Sequence, residues 1–309
     1  MRTFIDHRIK LLAALATIFQ LSCSSTGQPT PFDWNPVGQA VGKAGVVQPD
    51  GVYKIGLPRT DLNVKVGDVA IKPTLALGSW IAFRKMAAET MVMGDLVLTE
   101  DEVSPVMAKL QDGRVEITAL HNHLLNESPR VMYMHISGHG DAVKLAQAIH
   151  DALALSKTPL AAPAPAPNQA AAEQIDLDTK QLDQILDRAG KINAGVYQFG
   201  VARAEKVFEG EEGRGAEAIP SSMGLATAIN FQSTGSGRAA ITGDFVLLAG
   251  EVNPVIGTLR QNGIAVTAIH SHMLEDSPRL FFMHFWANDD ALKLARGLSA
   301  ALDKTNSAK

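Results

Sequence analysis

Six of the nine histidines in this chain stand in two triplets. His121, His123 and His135 lie in "TALHNHLLNESPRVMYMH", and His270, His272 and His284 lie in "TAIHSHMLEDSPRLFFMH". In an extended strand, residues i and i+2 project from the same face, so each H-x-H presents two imidazoles side by side. Three imidazoles converging on one point suit Zn²⁺ or another borderline divalent ion, with a fourth position left for water or substrate. Such an ion lowers the pKa of its bound water towards ~7 and polarises carbonyls. Arg130 and Arg279 follow Ser-Pro in the two copies. Each could clamp a substrate carboxylate bidentately, or pair with the nearby Glu127 or Asp276 to fix a turn. Glu102 and Glu251 are candidates for a further ligand or a general base. A carboxylate that merely favours a helix N-terminus is the alternative for both. For the histidines themselves, the alternative is a polar cluster at a strand end, satisfied by backbone and by Glu127 or Asp276.

These residues need strands to carry them. "VEITALHNH" (115–123) alternates as a strand should, and "RVMYMHIS" (130–137) makes another. A plain hairpin centred on "LLNESP" sets His123 opposite Arg130 and leaves His135 too far down the sheet at about 3.3 Å per residue. The triplet therefore requires a bulge, a wide loop centred near Pro129, or a neighbour that is not a hairpin. "MVMGDLVL" (91–98) and "AAITGDFVLL" (239–248) read as β-rich. Ser104-Pro105 and Asn253-Pro254 suggest a capped start to a short helix, with Pro at the first helical position, and Asp112-Gly113 and Asn262-Gly263 end it. A C-terminal helix over 141–155 shows an apolar stripe of Val143, Ala146, Ile149 and Leu153, and 290–302 repeats it. Thr118 and Thr267 fall on the opposite strand face and read as structural. Trp80 reads as core, and His139 and His150 as solvated.

The two copies align without a gap from about Gly94 to Leu153 at an offset of 149 (270 − 121). Gly94-Asp95 matches Gly243-Asp244, Glu102 matches Glu251, and Ser128-Pro129-Arg130 matches Ser277-Pro278-Arg279. Upstream, "GVYKIGLPR" (51–59) matches "GVYQFGVAR" (195–203). The unit is a whole domain, large enough to own a core. The expected organisation is an export signal at 1–23, a first repeat at 31–156, an Ala/Pro-rich linker at 157–174 and a second repeat at 175–305. The expected fold is α+β: two tandem homologous α/β sandwich domains that pack together, each a mixed sheet with a short helix and a C-terminal helix.

Arg2, Arg8 and Lys10 precede "LLAALATIF" (11–19), an apolar run too short to span a bilayer permanently. This predicts an exported protein, periplasmic or membrane-anchored. Cys23, just after the run, is a candidate lipidation site. As the sole cysteine it excludes disulfides and Cys-based metal sites. The net charge of −4 is spread without a basic block, which argues against nucleic acid as a partner. No G-x-S-x-G, phosphate loop or nucleotide fingerprint is present.

"GVYKIGLPRTDLNVKVGDVAI", "GSWIAF", "GDLVLTEDEVSPVMAKL" and "TALHNHLLNESPRVMYMH" together resemble the LppY/LpqO family of bacterial exported proteins. The resemblance implies export and lipoprotein character but no reaction. The second copy departs from the pattern: Pro58 becomes Ala202, Asp61 becomes Glu205, and Trp80 lacks an evident equivalent. More faintly, H-x-H followed by a third His is similar to the zinc signature of acetolactate decarboxylase. That similarity implies His121, His123 and His135 as ligands and Arg130 as a substrate clamp. However, the Gly-Gly typical before the last His is absent. Two readings stand: a metal-dependent hydrolase or lyase acting on a small carbonyl or carboxylate compound, and a non-catalytic envelope protein that binds metal or ligand.

Overall fold

A computed structural model describes residues 32–160, 175–210 and 217–308. The expected export signal with Cys23, and the linker from position 161 to 174, lie outside the described residues. The first repeat contributes β1 (Tyr53–Pro58), β2 (Gly78–Lys85), β3 (Thr90–Thr99), α1 (Glu100–Asp112), β4 (Glu116–His121), β5 (Val131–Gly140) and α2 (Ala142–Leu153). The second contributes β6 (Val196–Ala202), β7 (Ala226–Gly235), β8 (Arg238–Leu248), α3 (Ala249–Gln261), β9 (Ala265–His270), β10 (Leu280–Asp290) and α4 (Ala291–Leu302). Each repeat builds one six-stranded sheet. The orders are Val46–Val47, β1, β2, β3, β5, β4 and, in parallel, Lys191–Asn193, β6, β7, β8, β10, β9. All their ladders are antiparallel. The α+β class with two homologous sheet-and-helix units is thus realised.

The central strands are buried on both faces, and their side chains divide accordingly. On β3, Val92, Leu96 and Leu98 join Val106, Leu110 and the α2 residues in the first helix-side core. The alternate residues Met91 and Met93 instead pack with Val246 and Phe282 of the second repeat. Val97, Val131 and Tyr133 meet Val196 and Ala240 in a further mixed cluster. The second repeat divides the same way: Ile241, Phe245 and Phe285 face its own helices. The molecule is therefore four layers, helix–sheet–sheet–helix, with the sheets face to face. At about 1.5–3 kcal/mol per fully buried large side chain, the two mixed clusters hold the repeats together against the cost of burying polar groups between them.

Several local expectations need correction. The helix after β3 begins at Glu100, not at Ser104, and Pro105 lies inside it. The backbone N–H of Thr99 donates to Glu102 Oε2 (2.9 Å), so a carboxylate reaching back across the first turn marks the start that Ser-Pro seemed to mark. Leu248 N–H donates to Glu251 in the same way (2.7 Å). On α2 the buried face runs through Ala142, Leu145, Ala146, Ile149, Ala152 and Leu153, while Val143 is exposed. The apolar stripe is thus rotated by a residue at its N-terminal end. His139, expected to be solvated, bridges the repeats through Glu209 (2.6 Å) and also contacts Glu89 (3.3 Å). His150 is half-buried, with Nδ1 3.0 Å from the Val41 carbonyl.

Candidate metal centre

Strand register alone places a row of functional groups across each sheet. In the first, Gly56, Trp80, Asp95, His135 and Ala119 are successive cross-strand partners. In the second, the row is Gly200, Ala228, Asp244, His284 and Ala268. Direct partners share a face, so Asp95 stands beside His135 and Asp244 beside His284. His121 pairs with Tyr133, two residues from His135, and so shares that face. The register shifts between Ile117 and Ala119, making Thr118 the extra residue of a bulge, and a wide loop separates β4 from β5. The second repeat shifts likewise between Val266 and Ala268. From Ala119–His135 through Leu120–Met134 to His121–Tyr133 the ladder keeps plain hairpin register, with the bulge beyond it, so His135 reaches His121 only as a diagonal neighbour, 5.0 Å between ring centroids.

Because the sheets face each other, the two triplets form one cluster rather than two sites. The His121 ring lies 3.5 Å from that of His270 between centroids, His123 lies 3.7 Å from His284, and His135 lies 3.8 Å from His272. A pseudo-twofold relation between the repeats exchanges the last two pairs and maps the first onto itself. Two sets of donor atoms fall within 4.8 Å of one another, His121/His270/His284 and His135/His270/His272. Both draw on both repeats, whereas the sequence suggested one triplet per copy. The connecting loops are latched reciprocally: Thr118 Oγ1 donates to the His272 carbonyl and Thr267 Oγ1 to the His123 carbonyl, each at 2.6 Å. The two threonines, expected on the strand face opposite the histidines, instead reach from the bulges to the other repeat, on the side where the histidines meet.

The electrostatics of this interior follow from its burial. Burial keeps all six imidazoles neutral. His121, His270 and His272 are lowered to about 3 and His284 to about 4, and His123 and His135 fall well below the usual range, in each case first through desolvation. His284 Nδ1 lies 2.8 Å from the Gly243 carbonyl, and His121 Nδ1 lies 3.1 Å from that of Asn122. A carbonyl only accepts, so those Nδ1 atoms carry the hydrogen and the Nε2 lone pairs face inward. All six Nε2 atoms, with Asp95 Oδ1 and Asp244 Oδ1, are buried without a hydrogen-bond partner. Asp95 approaches His123 Nε2 at 3.7 Å and His135 Nε2 at 4.0 Å, and Asp244 approaches His272 at 3.2 Å and His284 at 3.9 Å. Metal–nitrogen bonds of about 2.0–2.1 Å place donors on one ion roughly 3–4 Å apart, so these separations fit shared ligation. Burial, with Asp244 adding to it, pushes the Asp95 carboxyl up to about 8.

The residues expected to help the histidines are elsewhere. Glu102 is bound by the fully buried Arg59 (2.7 Å), which also pairs with Asp61 (2.8 Å) and donates to the Val97 carbonyl. Arg203 repeats this with Glu251, Glu205 and the Val246 carbonyl. The candidate bases are thus committed to structural networks, and Asp61 and Glu205 do the same work despite differing in type. Arg130 is exposed, 3.8 Å from Glu100, and Arg279 pairs with Asp276 at 2.8 Å. Neither arginine lines the cavity that reaches the cluster. That cavity, about 940 Å³, lies between the sheets and is bounded by Asp95, His123, His135, Asp244, His272 and His284. Trp80, expected in the core, is half-buried and forms part of its wall, with Lys54 Nζ 4.2 Å above its ring. Asp95 and Asp244 escaped the sequence reading as ligands, although Gly-Asp recurs at the same offset as the histidines.

Over residues 35–155 and 180–304 the chain matches the family described as Domain of Unknown Function (DUF1259). No curated protein matches it. Among solved structures it is similar to a trimeric bacterial microcompartment shell protein, PduB, at 12% identity and a TM-score of 0.20, over 85% of this chain and 91% of that one. It is also similar to EtuB from Clostridium kluyveri, at 8% identity and a TM-score of 0.20, over 84% and 88%.

Proposed function

The chain belongs to the DUF1259 family twice over, and for such a tandem protein we propose a single metal centre, held between the repeats, as the seat of function. The ion is divalent, zinc or another borderline metal of the first transition row. An all-imidazole and carboxylate donor set without thiolate suits such ions. The observation that carries this reading is the convergence of six Nε2 atoms and two Asp oxygens, all buried and all without a hydrogen-bond partner. Buried polar groups are normally satisfied, and two acidic side chains brought together below the surface are costly as carboxylates unless compensated. One cation satisfies several of these atoms at once. When bound, it supplies a Lewis acid at the floor of a cavity large enough for a small carbonyl or carboxylate compound. That favours a hydrolase or lyase over a non-catalytic metal-binding envelope protein. The LppY/LpqO resemblance and the N-terminal pattern further propose an exported protein anchored through Cys23.

The test is elemental analysis of the untagged mature protein after exposure to Zn²⁺, Co²⁺ and Fe²⁺, with Co²⁺ absorption reporting coordination. Bound metal at one equivalent is expected. It should fall sharply in Asp95→Asn/Asp244→Asn and in His135→Ala/His284→Ala, with circular dichroism showing both variants folded. Equal metal in the wild type and the folded variants, or none in any, refutes the reading.

A further inference from the structure

The metal cluster is nearly symmetric, but the cavity that opens onto it is not. The cross-strand partner of Asp95 is Trp80, whereas that of Asp244 is Ala228. In the adjoining register, Lys54 of β1 corresponds to Gln198 of β6. One end of the cavity therefore carries an ammonium on an aromatic ring, and the other carries an amide beside a methyl group.

Lys54 is held for contact with the cavity. Its Nζ donates to the Ser222 carbonyl (2.9 Å) and stands over the Trp80 ring. The ring is itself confined by Gly224, where an added Cβ would come within 2.8 Å of it and where φ is +89°. An ammonium has three hydrogens: one goes to Ser222, one faces the ring, and one is left for the cavity. Gln198 Nε2, by contrast, is used by the Thr74 carbonyl (2.8 Å). Lys191, the other lysine at the cavity wall, lies at the exposed opposite rim, where water screens it. Between the two ends the wall mixes apolar residues such as Leu75 and Ala76 with uncharged polar ones such as Ser79, Thr227 and Asn230. No side chain projects at Gly56 or Gly200, whose Cβ positions are open space.

We propose that this cavity binds a small organic oxyanion, a carboxylate or a phosphate ester, in a single orientation, with its charged group on Lys54 and its body towards the Asp95 side of the His cluster. The inner end of this assignment rests on the metal reading, and the outer end rests on Lys54 alone. The carboxylates of Asp50 and Asp95 already act on Lys54, so the oxyanion competes with them for its charge.

The experiment titrates benzoate, phenyl phosphate and neutral benzamide into the full-length mature protein, both Zn²⁺-loaded and EDTA-treated. Calorimetry and Trp fluorescence are the readouts, with metal content measured on every sample. Benzoate or phenyl phosphate should bind and benzamide should not, and whichever anion binds identifies the headgroup. Lys54→Gln, which copies the second repeat's residue, should weaken anion binding by about tenfold or more at unchanged metal content. Lys54→Arg should restore most of it, and Lys191→Gln should change it less than threefold. Anion binding that depends on Lys54 but persists after EDTA would remove the metal reading and leave this inference standing. Metal bound at full stoichiometry, with benzamide binding as well as benzoate or with Lys54→Gln binding like the wild type, overturns the inference and leaves the metal reading intact.

Discussion

Acidification of the metal-free protein gives the sharpest check on the buried cluster. Each of the six imidazoles has a folded pKa depressed below its unfolded value of about 6.5, so the unfolded chain takes up protons that the folded chain refuses. Their stabilising contribution is intact above pH ~6.5 and is lost as pH falls towards the folded values. Lowering the pH from 7.5 to 5.5 costs about 1.4 kcal/mol for each imidazole held at about 3 or 4, or about 5 kcal/mol for those four, and His123 and His135 add in the same direction. Asp95 acts in the opposite sense. Its folded pKa, raised to about 8, makes the folded form the better proton acceptor over the same window, which returns about 3 kcal/mol. Glu127, raised to about 7, likewise returns about 2 kcal/mol, so the net loss is a few kcal/mol, a large part of the whole stability of many domains. Urea unfolding of EDTA-treated protein at pH 7.5, 6.5 and 5.5, extrapolated to zero denaturant, measures it. In His121→Asn/His270→Asn the imidazole contribution should shrink by about a third. Stability that is flat or rising between pH 7.5 and 5.5, or a slope unaltered in the double variant, would refute the claim that these rings are buried together as neutral groups.

Arg59→Met strands Asp61 and the buried Glu102, so it should cost about 3–5 kcal/mol in thermal or chemical unfolding while metal content per folded chain stays unchanged. Thr118→Val and Thr267→Val each remove a 2.6 Å bond to the opposite repeat and should each cost about 1 kcal/mol. Because the two bonds latch one pair of loops, the double variant should depart from additivity, and the double-mutant cycle reads that departure.

The duplication, the strand character of the His segments and the same-face pairing of each H-x-H are legible because they depend on spacing along one chain. The failure of a simple hairpin to complete a triplet within one repeat was legible too, but the remedy is neither a bulge nor a loop centred near Pro129: the donor sets are completed by the other repeat. What spacing could not reveal is the partnership of faces. Met91 and Met93 look like ordinary strand residues, yet they pack on Phe282 of the other repeat, and His121 meets His270 rather than completing a triplet of its own. Asp95 was hidden because its neighbour is His135, forty residues away, reached only through the β3–β5 register. Glu102 misled for a different reason. A carboxylate conserved between the copies looks chemical until Arg59, remote in sequence, is seen holding it.

The pairing of His121 with His270 about the pseudo-twofold relation has a consequence for how such a molecule arises. A chain with one repeat would have to assemble this interior as a homodimer, and every substitution would then appear at both ends of it. Joining the two copies into one polypeptide removes that coupling. Lys54 can persist opposite Gln198, and Trp80 opposite Ala228, while the histidines and aspartates between them stay matched. Covalent fusion thus lets an ancestral twofold interior acquire a front and a back.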